Sequence, residues 1–244
     1  MAVTCRYNDA SFTSMASGVN TKSLGVTTNA GDLIVVSDQR GHVTAVSGAG
    51  ATWVSILIYG TMYYWLGFNA SAGATSITIT TSATDYANTA VFAGAQTSSS
   101  PAYSAESGPT SVGGGRYGAI VYSSPTVSQN AGDLILVGWE GSGLSNPALA
   151  NGETPVSIPS GGWGAIDGLL WAVASSATTS QRASGDLAKL ASGYLGLLII
   201  PQAAPPAVLP QSRYYSQAVR RSYTYFKDVV FDRTPRGLLV PKVA

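Results

Sequence analysis

The 244-residue chain could bury one large core or two small ones without staples, and its lone cysteine, Cys5, rules out an internal disulfide. Charged residues make up 10% of it, against roughly 25% in an average soluble domain, so Ser, Thr, Gly and Ala must solvate much of the surface. Few Lys and Glu remain to block sheet edges, which suits life inside an assembly, and a homo-oligomer is expected.

Met1 to Asp9 shows no basic segment followed by an apolar run, and no stretch approaches the roughly 18 apolar residues of a membrane span. Synthesis in a cytosol, with no membrane partner, is the expectation. Charge is unevenly distributed. Residues 1–201 hold six basic and ten acidic groups, a balance of −4, while the last 43 hold seven basic groups against Asp228 and Asp232, a balance of +5.

In chain order, Val26-Thr27-Thr28 leads into the turn Asn29-Ala30-Gly31-Asp32 and the apolar run Leu33-Ile34-Val35-Val36. Gly31 suits a positive φ, where a β-branched residue would strain. Strands are predicted at Thr52 to Tyr59, Met62 to Asn69, Ser76 to Thr81 and Thr89 to Ala93, with Ala70 to Ala74 as a turn. Gln96 to Gly118, rich in Ser, Gly and Pro, reads as a long loop or a tether.

The order then repeats. Asn130-Ala131-Gly132-Asp133-Leu134-Ile135-Leu136-Val137 lies 101 residues after its counterpart and matches it at seven of eight positions. Gly168 to Ala174 answers Tyr63 to Asn69, which casts Trp65 and Trp171 as matching core aromatics, and a closing strand runs from Tyr194 to Ile200. Because the repeated element contains no nucleophile or ligand set, the duplication concerns architecture.

Many short strands and Gly-rich turns predict an all-β, jelly-roll-like β-sandwich over residues 1–201, built from two pseudo-repeated halves at about 20–95 and 121–201. Either each half supplies part of one eight-stranded sandwich, or each folds as a small immunoglobulin-like domain. Runs such as Leu195 to Ile200 need cover on both faces, which favours the single sandwich.

Beyond Pro201 the texture changes to a Pro-rich linker and a basic, aromatic arm, residues 202–244. Arg213, Tyr214, Tyr215, Arg220, Arg221, Tyr223, Tyr225, Phe226, Phe231, Arg233 and Arg236 make it too sticky for a free tail and too short for its own core. It is expected to dock on a neighbour, and the alternation at Ser222 to Tyr225 suits addition to an open sheet edge. Nucleic-acid binding is the competing use of these arginines and is not the preferred one.

Catalytic signals are sparse. His42, the only histidine, sits beside a turn, and one His with one Cys cannot make a metal set without converging carboxylates. Gly113 to Gly118 fits Gly-x-Gly-x-x-Gly formally, but no strand precedes it and Ala119 to Tyr122 reads as a strand where a helix should start. Asp32 and Asp133 could face calcium, although a carboxylate closing its own turn accounts for both. No enzyme, cofactor or metal site is expected, and Gly31, Asp32, Gly132 and Asp133 are assigned as structural turns.

The doublet Ala-Gly-Asp-Leu-Ile-Val-Val and Ala-Gly-Asp-Leu-Ile-Leu-Val, each followed by a Trp-bearing strand and an Ala/Ser/Thr-rich turn, resembles the Gly/Ser/Thr-rich β-sandwich proteins of tailed bacteriophage virions. The resemblance spans about residues 20–201. It implies a non-enzymatic minor tail or capsid decoration (head-fibre) subunit, assembled in the host bacterial cytoplasm, with other virion proteins as partners. The alternative is a glycan- or host-receptor-binding module whose exposed aromatics stack on sugars, with Trp53, Tyr63 and Tyr64 as the residues whose burial would discriminate.

Overall fold

The computed structural model describes residues 2–9, 13–38, 40–59, 62–98, 105–107, 120–124, 126–140, 144–157, 167–187, 194–204, 231–233 and 239–241. Among these every ordered element is a strand, and every pairing is antiparallel. The protein is all-β. Contacts divide it into two compact units, Met1–Ala203 and Ala204–Ala244.

The first half of the larger unit contains β1 (Thr4–Asn8), β2 (Thr13–Met15), β3 (Gly18–Ser23), β4 (Leu33–Asp38), β5 (Val43–Ser47), β6 (Thr52–Tyr59), β7 (Met62–Phe68), β8 (Ser76–Thr81) and β9 (Asp85–Ala93). They form a large sheet ordered β1-β9-β4-β7-β6, with β2 also on β9, and a small sheet ordered β3-β8-β5. The second half contains β10 (Ala105–Ser107), β11 (Ile120–Ser123), β12 (Val127–Gln129), β13 (Leu134–Glu140), β14 (Leu144–Leu149), β15 (Val156–Ser157), β16 (Asp167–Val173), β17 (Thr178–Gln181), β18 (Ala183–Leu187) and β19 (Tyr194–Ile200). Its large sheet is ordered β10-β19-β13-β16-β15, and its smaller ones are β11-β18-β14 and β12-β17.

The two large sheets have one strand order, position for position. Each half therefore carries a complete set of strands, and no described sheet takes strands from both halves. This corrects the expectation of a single eight-stranded sandwich to which each half contributes part. The apolar runs are indeed covered on both faces, but the second layer of cover comes from the other half.

Alternation along β4 shows how. Leu33 and Val35 enter a core shared with Leu134 and Leu136 of β13 and Leu198 and Ile200 of β19, whereas Ile34 and Val36 face Ile77 and Ile79 of the small sheet. On the other side, Ile135 and Val137 pack with Leu197, Ile199, Val127 and Leu149. The larger unit is thus four layers, small-large-large-small, with the two large sheets back to back. Their central strands are buried on both faces, which is why they read as unbroken apolar runs.

Trp65 and Trp171 do not match as expected. Trp65 lies opposite Val36, but Trp171 lies opposite Leu136, the counterpart of Val35, so Trp171 occupies the position of Leu66. A slip of one residue reverses the face. Trp171 borders the shared core, edge-on to Phe92 at 5.5 Å between centroids, while Trp65 borders the core under the small sheet.

Candidate functional site

The repeated turns are built alike. Asn29 N donates to Asp32 Oδ2 at 2.8 Å and Asn130 N to Asp133 Oδ2 at 2.7 Å. In each, the aspartate N reaches back to the asparagine O at 3.2 Å, and the glycine N donates across to Ala70 O or Ala174 O at 2.9 and 2.8 Å. Gly31 and Gly132 have φ of +86° and +89°, as the sequence required. Both carboxylates close their own turns.

Outside the turns the halves diverge. Asp32 pairs with the Arg6 guanidinium, whose other nitrogen donates to Thr27 O at 3.0 Å. Asp133 Oδ1 instead accepts the backbone N of Gln202 at 3.1 Å, and Gln202 Nε2 donates to Ala131 O at 2.9 Å. Around this point Gln96 N donates to Pro201 O (2.9 Å), Ala203 N to Gly94 O (2.7 Å), and Ala95 bridges Gln202. The ends of the two halves clasp each other, so the larger unit closes at Ala203 and its last residues have a fixed position.

Five of the ten acidic residues of residues 1–201 are buried. Asp9 pairs with the buried Lys22, which also reaches Thr13 Oγ1; Asp32 and Asp133 close turns; Asp38 and Asp85 are wholly buried. Besides Glu153, there remain Glu106, Glu140, Asp167 and Asp186, on β10, β13, β16 and β18, with Glu140 registered directly opposite Asp167.

Glu153 anchors a polar cluster that the sequence did not reveal. Its Oε1 accepts from Gln129 Nε2 (3.0 Å), Asn151 Nδ2 (2.9 Å), and Ser175 N and Oγ (both 3.1 Å), and its Oε2 from Gln181 Nε2 (2.7 Å). Burial pushes its pKa up, but the Asn151, Ser175 and Gln181 donors and its own backbone amide outweigh that, holding it at about 2. A lowered folded pKa gives stability that is present above the usual carboxylate range and lost as pH falls toward about 2. Glu153→Ala should cost roughly 1–3 kcal/mol in denaturant unfolding at neutral pH, since it strips partners from buried Gln181, and should flatten the acid limb. Unchanged acid sensitivity would show that the cluster carries no linkage.

His42 and Cys5 have ordinary surroundings. The His42 ring Nδ1 lies 3.3 Å from Thr84 O, and the half-buried Cys5 Sγ donates to Tyr7 O at 3.2 Å, with burial raising its thiol pKa. Among the described residues no three His, Cys, Asp or Glu side chains are placed to hold a metal ion, and no helix is long and apolar enough to cross a membrane. Tyr64 is wholly buried, and Trp53 lies against Gly67 with its indole N–H on Gly48 O at 3.1 Å. The Tyr63 side chain lies outside the described set.

Of the arm residues, Phe231 and Arg233 belong to β20 (Phe231–Arg233), which pairs with β21 (Leu239–Pro241). Arg213, Tyr214, Tyr215, Arg220, Arg221, Tyr223, Tyr225, Phe226 and Arg236, the Ser222 to Tyr225 alternation and the Gly113 to Gly118 run lie outside the described residues. The chain matches no known protein family, no curated protein and no solved structure.

Proposed function

We propose that this protein is a non-enzymatic structural subunit of a tailed-phage virion, of the minor tail or capsid decoration type, tied to neighbouring subunits by its C-terminal unit. Leaving out β2 and counting β11 with β12 and β17 with β18 as single positions, we read the order of each half, 1-8-3-6-5 in the large sheet and 2-7-4 in the small, as a jelly roll. The observation that carries the proposal is the division of the chain. A self-contained β unit ends in a clasp at Ala203, and residues 204–244 form a separate basic segment whose described structure is one two-stranded hairpin.

An isolated hairpin is marginal in water, so β20 and β21 need a surface to rest on. Copies of the chain and other virion proteins are the proposed partners, and the aromatic and arginine content suits an interface. The glycan-binding alternative loses support at Tyr64, which is inaccessible, and at Trp53, whose ring covers Gly67.

Deleting residues 204–244, which spares the clasp, should leave a monodisperse β protein with unchanged circular dichroism that no longer enters particles assembled in infected or reconstituted cells. Normal incorporation of the truncated chain would remove the anchor role. Incorporation lost together with folding would instead show that the segment belongs to the larger unit's core.

A further inference from the structure

Asp38 ends β4, and Asp85 begins the neighbouring β9. Both are wholly buried, and their carboxyls converge on the same three consecutive amides, Gly41, His42 and Val43. Between them they take up the amides of the β4–β5 loop. Asp38 Oδ1 accepts Arg40 N (3.2 Å) and Gly41 N (2.9 Å), Asp38 Oδ2 accepts Val43 N (3.1 Å), and Asp85 Oδ2 accepts His42 N (2.9 Å). Asp85 Oδ1 accepts Tyr86 N at 2.6 Å. Two buried carboxylates side by side cannot both carry full charge without strong repulsion, which one shared proton relieves.

We propose that Asp38 and Asp85 form a proton-dependent latch, which holds the β4–β5 loop on the sheet while one proton is shared and loosens it when that proton is lost. No cation on the surrounding elements offsets a second negative charge among the described contacts. The Arg40 guanidinium stacks on the Tyr86 ring at 4.8 Å, and the His42 ring faces Thr84 O. Lys22, on the small sheet, is engaged with Asp9 and Thr13. Tyr63 is registered opposite Asp38.

Burial, then the hydrogen bond and charge of Asp85, push Asp38 up to about 7, against the opposing pull of the Val43 and Gly41 amides. A raised folded pKa means stabilisation fully present below the ordinary carboxylate pKa and lost as pH rises through about 7. Neutral conditions are where the latch turns over. Val43, a buried member of the core under the small sheet, sits at the end of that loop, so release would reach this core.

The test tracks the carboxyl carbons of Asp38 and Asp85 and the amides of Gly41, His42 and Val43 by NMR in the full-length protein from acid to alkaline pH. One carboxyl should titrate with a midpoint near 7, and exchange of the three amides should rise above the base-catalysed baseline through the same midpoint. Asp38→Asn should abolish that step, and His42→Gln should retain it. Should Asp38→Asn fail to fold, Asp85→Asn serves, and the wild-type carboxyl titration decides without either. Both carboxyls titrating in the usual acid range, a titration without a change in exchange, or a step that disappears only with His42→Gln would each overturn the latch.

Discussion

Trp171→Ala should destabilise the larger unit by about 3 kcal/mol, the lower end of the range for removing a Trp from a core, because the indole is half-buried. Its position makes the effect informative. Trp171 borders the core between the two large sheets and meets Phe92 of the other half edge-on, a geometry with its own attraction beyond burial. A void there removes contacts from both halves at once, so a single unfolding transition should shift as a whole. Trp65→Ala, on the opposite face of the equivalent strand, removes contacts from the first half alone and should shift the same single transition. Two separate transitions in the wild type, with only the second moved by Trp171→Ala, would mean that the shared core does not couple the halves.

That shared core was half legible in the sequence. Continuous apolar runs at Leu33 to Val36 and Leu195 to Ile200 demanded cover on both faces, but a run cannot say whether the cover is its own sandwich or a second one. The Trp slip lies within the strand itself. Trp65 stands two residues before Gly67, the partner of Ile34, whereas Trp171 stands one residue before Ala172, the partner of Ile135. Composition-level matching cannot see a one-residue offset that turns a side chain to the other face.

Other elements escaped for similarly physical reasons. β5 buries Val43 and Val46, three residues apart, because its pairing with β8 shifts register between Val43 and Ala45. A bulge erases the period-two signal. Asp38 and Asp85 are 47 positions apart in sequence and meet only because β4 and β9 are neighbours in the sheet. Glu153 likewise draws its donors from Gln129, Ser175 and Gln181, on strands and turns that sequence alone does not bring together. The turns, by contrast, were legible, since their glycine, their carboxylate and the bonds between asparagine and aspartate are local.

Gly31→Val and Gly132→Val form a matched pair with unequal expected outcomes. Both force a β-branched residue to positive φ, which costs on the order of 1–3 kcal/mol at either site. At Gly31 the new Cβ meets only Thr97 Cγ2 at 3.5 Å, an ordinary contact. At Gly132 it would lie 2.6 Å from Gln202 Oε1 and 2.8 Å from Cδ, so the Gln202 side chain must leave and give up its bond to Ala131 O. Gly132→Val should therefore cost about 1 kcal/mol more than Gly31→Val, the worth of one further hydrogen bond. Because Gln202 also donates its backbone N to Asp133, the clasp should loosen as well, visible as faster amide exchange at Gln202 and Ala203. Gly31→Val should leave those two amides protected. Equal losses in the two variants, with the Gln202 amide undisturbed in both, would show that Gln202 does not hold the second turn and that the two halves end independently.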